Sequence, residues 1–271
     1  MTMAVLDGVE LFHVEVGTGP PCLVMHGGLG ADHLMYRPWL DALADRVELI
    51  YYDHRCNGRS SSPPLETMTM EQLADDAAAL LSHLGHDRAV VLGHSYGGFI
   101  AQELALRHPE RVRALVLVDT TPGQLGTGES ADDQGPPPPP ELFETMLKVA
   151  DEQPDAPRLL ELMLPLYLHQ ADPVDTAAAM DGTIAKLDVA QQSMVVLAGW
   201  SSVDRLGSIG CPVLVVGGRY DIFTSLPQSV RIASRIPNAR LEVFEASGHM
   251  PFIDEPERFT AVVGSWLAGL D

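Results

Sequence analysis

Through residue 118 the chain alternates short apolar runs with longer stretches of helical periodicity, the rhythm of a mainly parallel sheet covered by helices. Residues 9–16 alternate polar and apolar side chains and predict an outer strand. Residues 22–25 form a short buried run that ends in His26-Gly27-Gly28, and 47–52 form another, closed by Asp53. Over 70–84, Leu73, Ala77, Leu80, Leu81 and Leu84 share one face of a helix. A strand over 89–92 meets Gly93, where a sharp turn leads into a helix to about residue 108, and 112–118 read as the next strand.

The alternation then stops. No strand pattern is visible from about residue 122 to 205. Residues 123–140 are rich in glycine, acid and proline and end in Pro136 to Pro140, a stiff run without backbone donors that predicts an exposed connector. Helical patterns follow over 141–151, 158–169, 173–184 and 190–199. The strand and helix rhythm resumes with 212–216, a helix over 226–235, a strand over 240–244 and a last helix over 255–270. The expected organisation is a core of residues 1–121 and 206–271 carrying a helical cap of residues 122–205.

Charge changes the picture of possible partners. With 37 acidic against 17 basic side chains the net charge is -20, and Lys148 and Lys186 are the only lysines. Such a surface repels phosphate backbones and anionic lipid, so no nucleic-acid or membrane partner is expected. Three cysteines, Cys22, Cys56 and Cys211, show no C-x-x-C spacing and predict neither a disulfide framework nor a zinc site. No apolar stretch reaches the ~20 residues that span a bilayer, and no secretory pattern opens the chain, so a cytoplasmic location is expected.

The candidate chemistry lies where strands turn into helices. Gly93-His94-Ser95-Tyr96-Gly97 fits G-x-S-x-G, and its setting between an apolar strand and a helix is what gives the pattern weight. Such a turn strains its central residue and lifts that side chain clear of the sheet, so Ser95 is the expected nucleophile. A hydroxyl needs a base. His249, in Ala246-Ser247-Gly248-His249 after the last strand, is placed to serve. Asp221, after the strand over 212–216, is the expected acid that orients the imidazole; Asp119, also at a strand end, is the runner-up. The oxyanion hole is expected from the N–H of Tyr96 and that of Gly28, with Leu29 as the alternative second donor. His26 is expected to brace that loop. Leu29, Tyr96 and Met250 adjoin these positions and are expected to line the substrate pocket. No constellation for a metal or cofactor is present in the sequence, and none is expected.

Four separated motifs together resemble the α/β-hydrolase superfamily over essentially the whole chain. They are His26-Gly27-Gly28, the stretch Asp53-His54-Arg55-Cys56-Asn57-Gly58-Arg59-Ser60, the turn around Ser95, and Asp221 with His249. The resemblance implies an α/β-hydrolase fold, a mostly parallel sheet flanked by helices with a helical cap inserted after the sixth strand. Cys56 stands where that family usually has glycine, a packing change before it is a reactive thiol. Within the superfamily the chain looks most like the serine carboxylesterase and prolyl-iminopeptidase branch. It is similar to bacterial esterases that also open N-acyl homoserine lactones. That implies hydrolysis of a small-molecule ester or lactone, with an aminopeptidase of the prolyl-iminopeptidase type as the alternative.

Overall fold

The computed structural model describes residues 2–28, 30–123 and 139–270. Eight strands form one sheet in the order β1-β2-β4-β3-β5-β6-β7-β8. They are β1 (Thr2–Leu6), β2 (Val9–Val16), β3 (Pro21–Met25), β4 (Glu48–Tyr52), β5 (Ala89–His94), β6 (Val112–Val118), β7 (Val213–Gly218) and β8 (Ala239–Phe244). The β1–β2 and β2–β4 pairs are antiparallel, and every pair from β4 through β3 to β8 is parallel. Every residue of β5 and β7 is buried, because helices cover both faces and leave no side for polar residues.

Strand β1 has no counterpart in the sequence reading. It is an edge hairpin arm that buries Ala4 alone, so its alternation is too faint to read.

The covering helices are α1 (Met70–His83), α2 (Tyr96–Arg107), α3 (Pro140–Glu152), α4 (Ala156–Tyr167), α5 (Pro173–Ala179), α6 (Leu187–Ala198), α7 (Leu226–Arg235), α8 (Pro251–Asp254) and α9 (Pro256–Ala268). Thr69 caps α1 by accepting the Gln72 N–H at 3.2 Å, and the helix buries Leu73, Ala77, Leu80 and Leu81, as its periodicity predicts. One apolar core lies between the sheet and α1 with α2. The other lies on the opposite face, beneath α9.

Helices α3 to α6 lie between β6 and β7, where the strand pattern lapses. Pro139 is extended and Pro140 opens α3, a position where the missing N–H costs nothing. The rest of the proline run, and most of the connector, lies outside the described residues. Helix α5 ends at Ala179, well short of residue 184. Gly182 takes a left-handed φ of +84°, and the chain beyond it runs back to the core, where Ile184 N–H donates to Asp32 Oδ2 at 3.1 Å. The last helix, predicted over 255–270, is present as α9, and the short helix α8 precedes it. Glu255 precedes a proline and sits at φ -130°, which separates α8 from α9.

Candidate active site

Ser95 is the residue on which β5 becomes α2. Its backbone holds φ 51° and ψ -118°, a conformation that L side chains rarely adopt. Its N–H still donates to Val118 O on β6 at 3.0 Å, and its carbonyl accepts Thr120 Oγ1 at 2.9 Å. The turn is therefore pinned from the neighbouring strand, and Ser95 is half-buried in an otherwise buried stretch. Gly97 explains the second glycine of the motif: a Cβ there would lie 2.0 Å from Met25 O on β3. Gly27 explains the loop opposite, since a Cβ on it would stand 2.8 Å from Ser95 Cβ. The loop after β3 thus packs directly against the serine.

Asp221 follows β7 and His249 follows β8. His249 Nδ1 donates to Asp221 Oδ2 at 2.9 Å. Thr224 Oγ1 donates to the same oxygen at 2.6 Å, and the N–H groups of Phe223 and Thr224 donate to Oδ1 at 2.8 and 3.1 Å. Burial alone would raise this carboxyl. The charge and hydrogen bond of His249, with these other donors, outweigh burial and hold it at about 2. The two expected acids differ in what they bond. Asp119 accepts from Gly218 N–H at 2.7 Å, while Asp221 is the one bonded to the imidazole.

With Nδ1 committed as donor, His249 Nε2 is left as the acceptor, the tautomer a base requires. Ser95 and His249 are linked through His94; among the described residues no direct hydrogen bond joins them. His94 Nε2 donates to His249 O at 2.7 Å, and the two rings stand 4.7 Å apart. That donation leaves His94 Nδ1 as an acceptor for the Tyr36 hydroxyl. Burial, then the neighbouring His249, drives the His94 imidazole down to about 3, so it is neutral and its tautomer is fixed.

Tyr96 is the first residue of α2, whose opening N–H groups have no partner within the helix. Gly28 sits in the loop after β3 at φ +63°, its carbonyl accepting Ala31 N–H at 2.6 Å. His26 braces this loop as expected. Its Nε2 accepts the His54 N–H at 3.1 Å, so Nδ1 is the protonated nitrogen and donates to Gly27 O at 3.1 Å. Leu29 lies outside the described residues. Met250 is only 1% exposed and packs in the α9-side core with Phe252.

Three features of the site have no single-residue signal in the sequence. Tyr36 joins the loop after β3 to the serine turn. Asp254 on α8 accepts the N–H groups of His169, Gln170 and Ala171 through Oδ1 at 3.0, 2.8 and 2.9 Å, and that of Gly248 through Oδ2 at 2.8 Å. Tyr167, at the end of α4, accepts His249 N–H on its carbonyl at 2.7 Å and lays its ring 5.3 Å from the imidazole. Of the apolar residues in the helical insertion, Phe143, Met146 and Met194 face solvent, Leu164 and Met180 join the core, and Trp200 donates to Glu103 Oε2 at 2.8 Å.

Cys56 holds a left-handed φ of 67°, the conformation that makes glycine usual at that turn, and burial pushes its thiol up. Among the described residues no cluster of three His, Cys, Asp or Glu could hold a metal ion, and no helix is long and apolar enough to cross a membrane.

The model of a family described as alpha/beta hydrolase fold matches residues 20–256. The chain belongs to this family. A putative carbamate hydrolase, RutD, from Caulobacter sp. (strain K31) is 32% identical, with 99% of each chain covered. Among solved α/β-hydrolase structures, a thermophilic esterase from Thermogutta terrifontis is 27% identical with a TM-score of 0.77, covering 99% of this chain and 97% of its own. Est816, described as an N-acyl homoserine lactone degrading enzyme, is 25% identical with a TM-score of 0.75, covering 98% and 100%. As an α/β-hydrolase the chain is a hydrolase with esterases among its structural neighbours.

Proposed function

We propose that this hydrolase is a serine carboxylesterase and lactonase in which Ser95, His249 and Asp221 act as the triad. The observation that carries the reading is the Asp221–His249 pair held beside a strained serine at a helix N-terminus. His249 Nε2 takes the Ser95 proton as Oγ attacks the carbonyl carbon. The carbonyl oxygen gains the negative charge and is met by the N–H groups of Gly28 and Tyr96. His249 then gives the proton to the departing alkoxide, and water, deprotonated by the same imidazole, releases the acid. In a lactone the leaving alcohol is part of the acyl chain, so it stays on the enzyme with the acyl group until water releases the hydroxy acid. The likeness to Est816 supports N-acyl homoserine lactones as substrates, and the esterase neighbours support short-chain esters.

A second reading is favoured by the relatives named as putative carbamate hydrolases: the same attack on a carbamate carbonyl. The test is a panel of short aryl esters, N-acyl homoserine lactones of graded chain length, a simple carbamate and a prolyl amide, with products identified. Turnover of esters and lactones, lost in Ser95→Ala, is the expected result. Preference for the carbamate would transfer the assignment to the second reading, and preference for the amide to an aminopeptidase. Undiminished hydrolysis by folded Ser95→Ala would end the triad assignment.

A further inference from the structure

Asp119 follows β6 in the left-handed region, at φ 39°, with its side chain wholly buried. Oδ1 accepts the Gly218 N–H at 2.7 Å, and the backbone N–H donates to Val216 O at 2.9 Å. Oδ2 is buried without any hydrogen bond that an ionised carboxylate could accept from the described residues. Gly218 also offers its carbonyl to the Asp221 N–H at 3.4 Å. Asp119 and Asp221 therefore engage the N–H and the carbonyl of the same residue, and the Asp119 carboxyl lies within hydrogen-bonding reach of the Asp221 side chain.

Two carboxyl groups in buried contact do not both ionise; one keeps a proton, and the surroundings choose which. Asp221 collects donors from His249, Phe223 and both the side chain and backbone of Thr224, whereas Asp119 has Gly218 N–H alone. The Asp254 charge also faces Asp119 from α8. Burial first, and then the Asp221 charge, pushes the Asp119 carboxyl well above the usual carboxylate range.

We propose that Asp119 is a positioning residue, a neutral carboxylic acid whose Oδ2–H donates to the Asp221 carboxylate and fixes its aim at His249. The proton accounts for the orphaned oxygen. It also gives Asp221 one more donor, spreading its charge and lessening its pull on a protonated His249. The inference rests on the triad reading, because Asp119 acts on the reaction only through Asp221 and His249.

Infrared difference spectroscopy of the intact protein at neutral pH tests the proton directly, whatever the activity. The protonated-carboxyl carbonyl band of the wild type is expected to vanish in Asp119→Asn. A band that persists, or none in the wild type, overturns the proposal without touching the triad. Kinetics supply the functional arm. Asp119→Leu, lacking a donor, is expected to lose about tenfold in kcat with KM little changed, and to move the acidic limb of its kcat/KM profile to higher pH. Asp119→Asn, whose amide donates to Asp221, is expected to recover most of that loss and restore the limb. Equal loss in folded Asn and Leu variants, or an unmoved limb in Leu, overturns the positioning role. If the Leu variant does not fold, the infrared result decides.

Discussion

The Tyr36 hydroxyl donates to His94 Nδ1 at 2.7 Å and accepts the Gly27 N–H at 2.5 Å, so one phenol ties the loop after β3 to the serine turn. Because His94 passes a further hydrogen bond to His249 O, the link reaches the base as well. Tyr36→Phe leaves a buried N–H and a buried imidazole nitrogen without partners. It is expected to cost about 2 kcal/mol of stability and to lower kcat more than it alters KM. Denaturant unfolding and ester kinetics measure both, and wild-type values in each would remove Tyr36 from the machinery.

The strain at Ser95 has a measurable size. Ser95→Gly removes the hydroxyl and also permits φ 51° without steric cost, so activity is expected to vanish while stability rises by about 1 kcal/mol over Ser95→Ala. A glycine variant less stable than the alanine one would show that the turn holds no such strain.

Acid should act on stability in two stages. His94 is neutral when folded, down to about 3, but a histidine in the unfolded chain binds a proton below ~6.5. The unfolded state then holds more protons, so stability falls as pH drops from ~6.5 toward 3. Burial lowers His26 and His54 in the same direction. Asp221 stabilises while ionised, and its contribution is lost as pH falls from the unfolded value of ~3.9 through about 2. His94→Gln is expected to flatten the first stage. Equal slopes for variant and wild type between pH 6.5 and 4 would contradict this account.

Much of this architecture was legible because physical constraints repeat along the chain. The buried parallel strands read as apolar runs, α1 as one apolar face, and Ser95, Asp221 and His249 each as a residue just past a strand end. What stayed hidden depends on contacts distant in sequence. Tyr36 and His94 are 58 positions apart, and nothing local marks either as the other's partner. Likewise the early end of α5 follows from Ile184 reaching Asp32, 152 positions away, which overrides a helical pattern that continues past Ala179.

Asp254 gathers four backbone N–H groups, three from the segment after α4 and one from Gly248, beside the base. Asp254→Ala is expected to cost about 3 kcal/mol and most of kcat, whereas Asp254→Asn keeps an acceptor oxygen and should lose less of both. Equal effects from the two would mean that the side chain serves as mere filling.

The Tyr167 carbonyl receives the His249 N–H, so a peptide of the insertion helps to hold His249 in place. Replacing this insertion with that of a relative is therefore expected to disturb turnover unless the junction after α4 is kept. In this chain the insertion and His249 meet at one backbone hydrogen bond, so substitutions in the segment after α4 are constrained by the placement of the imidazole.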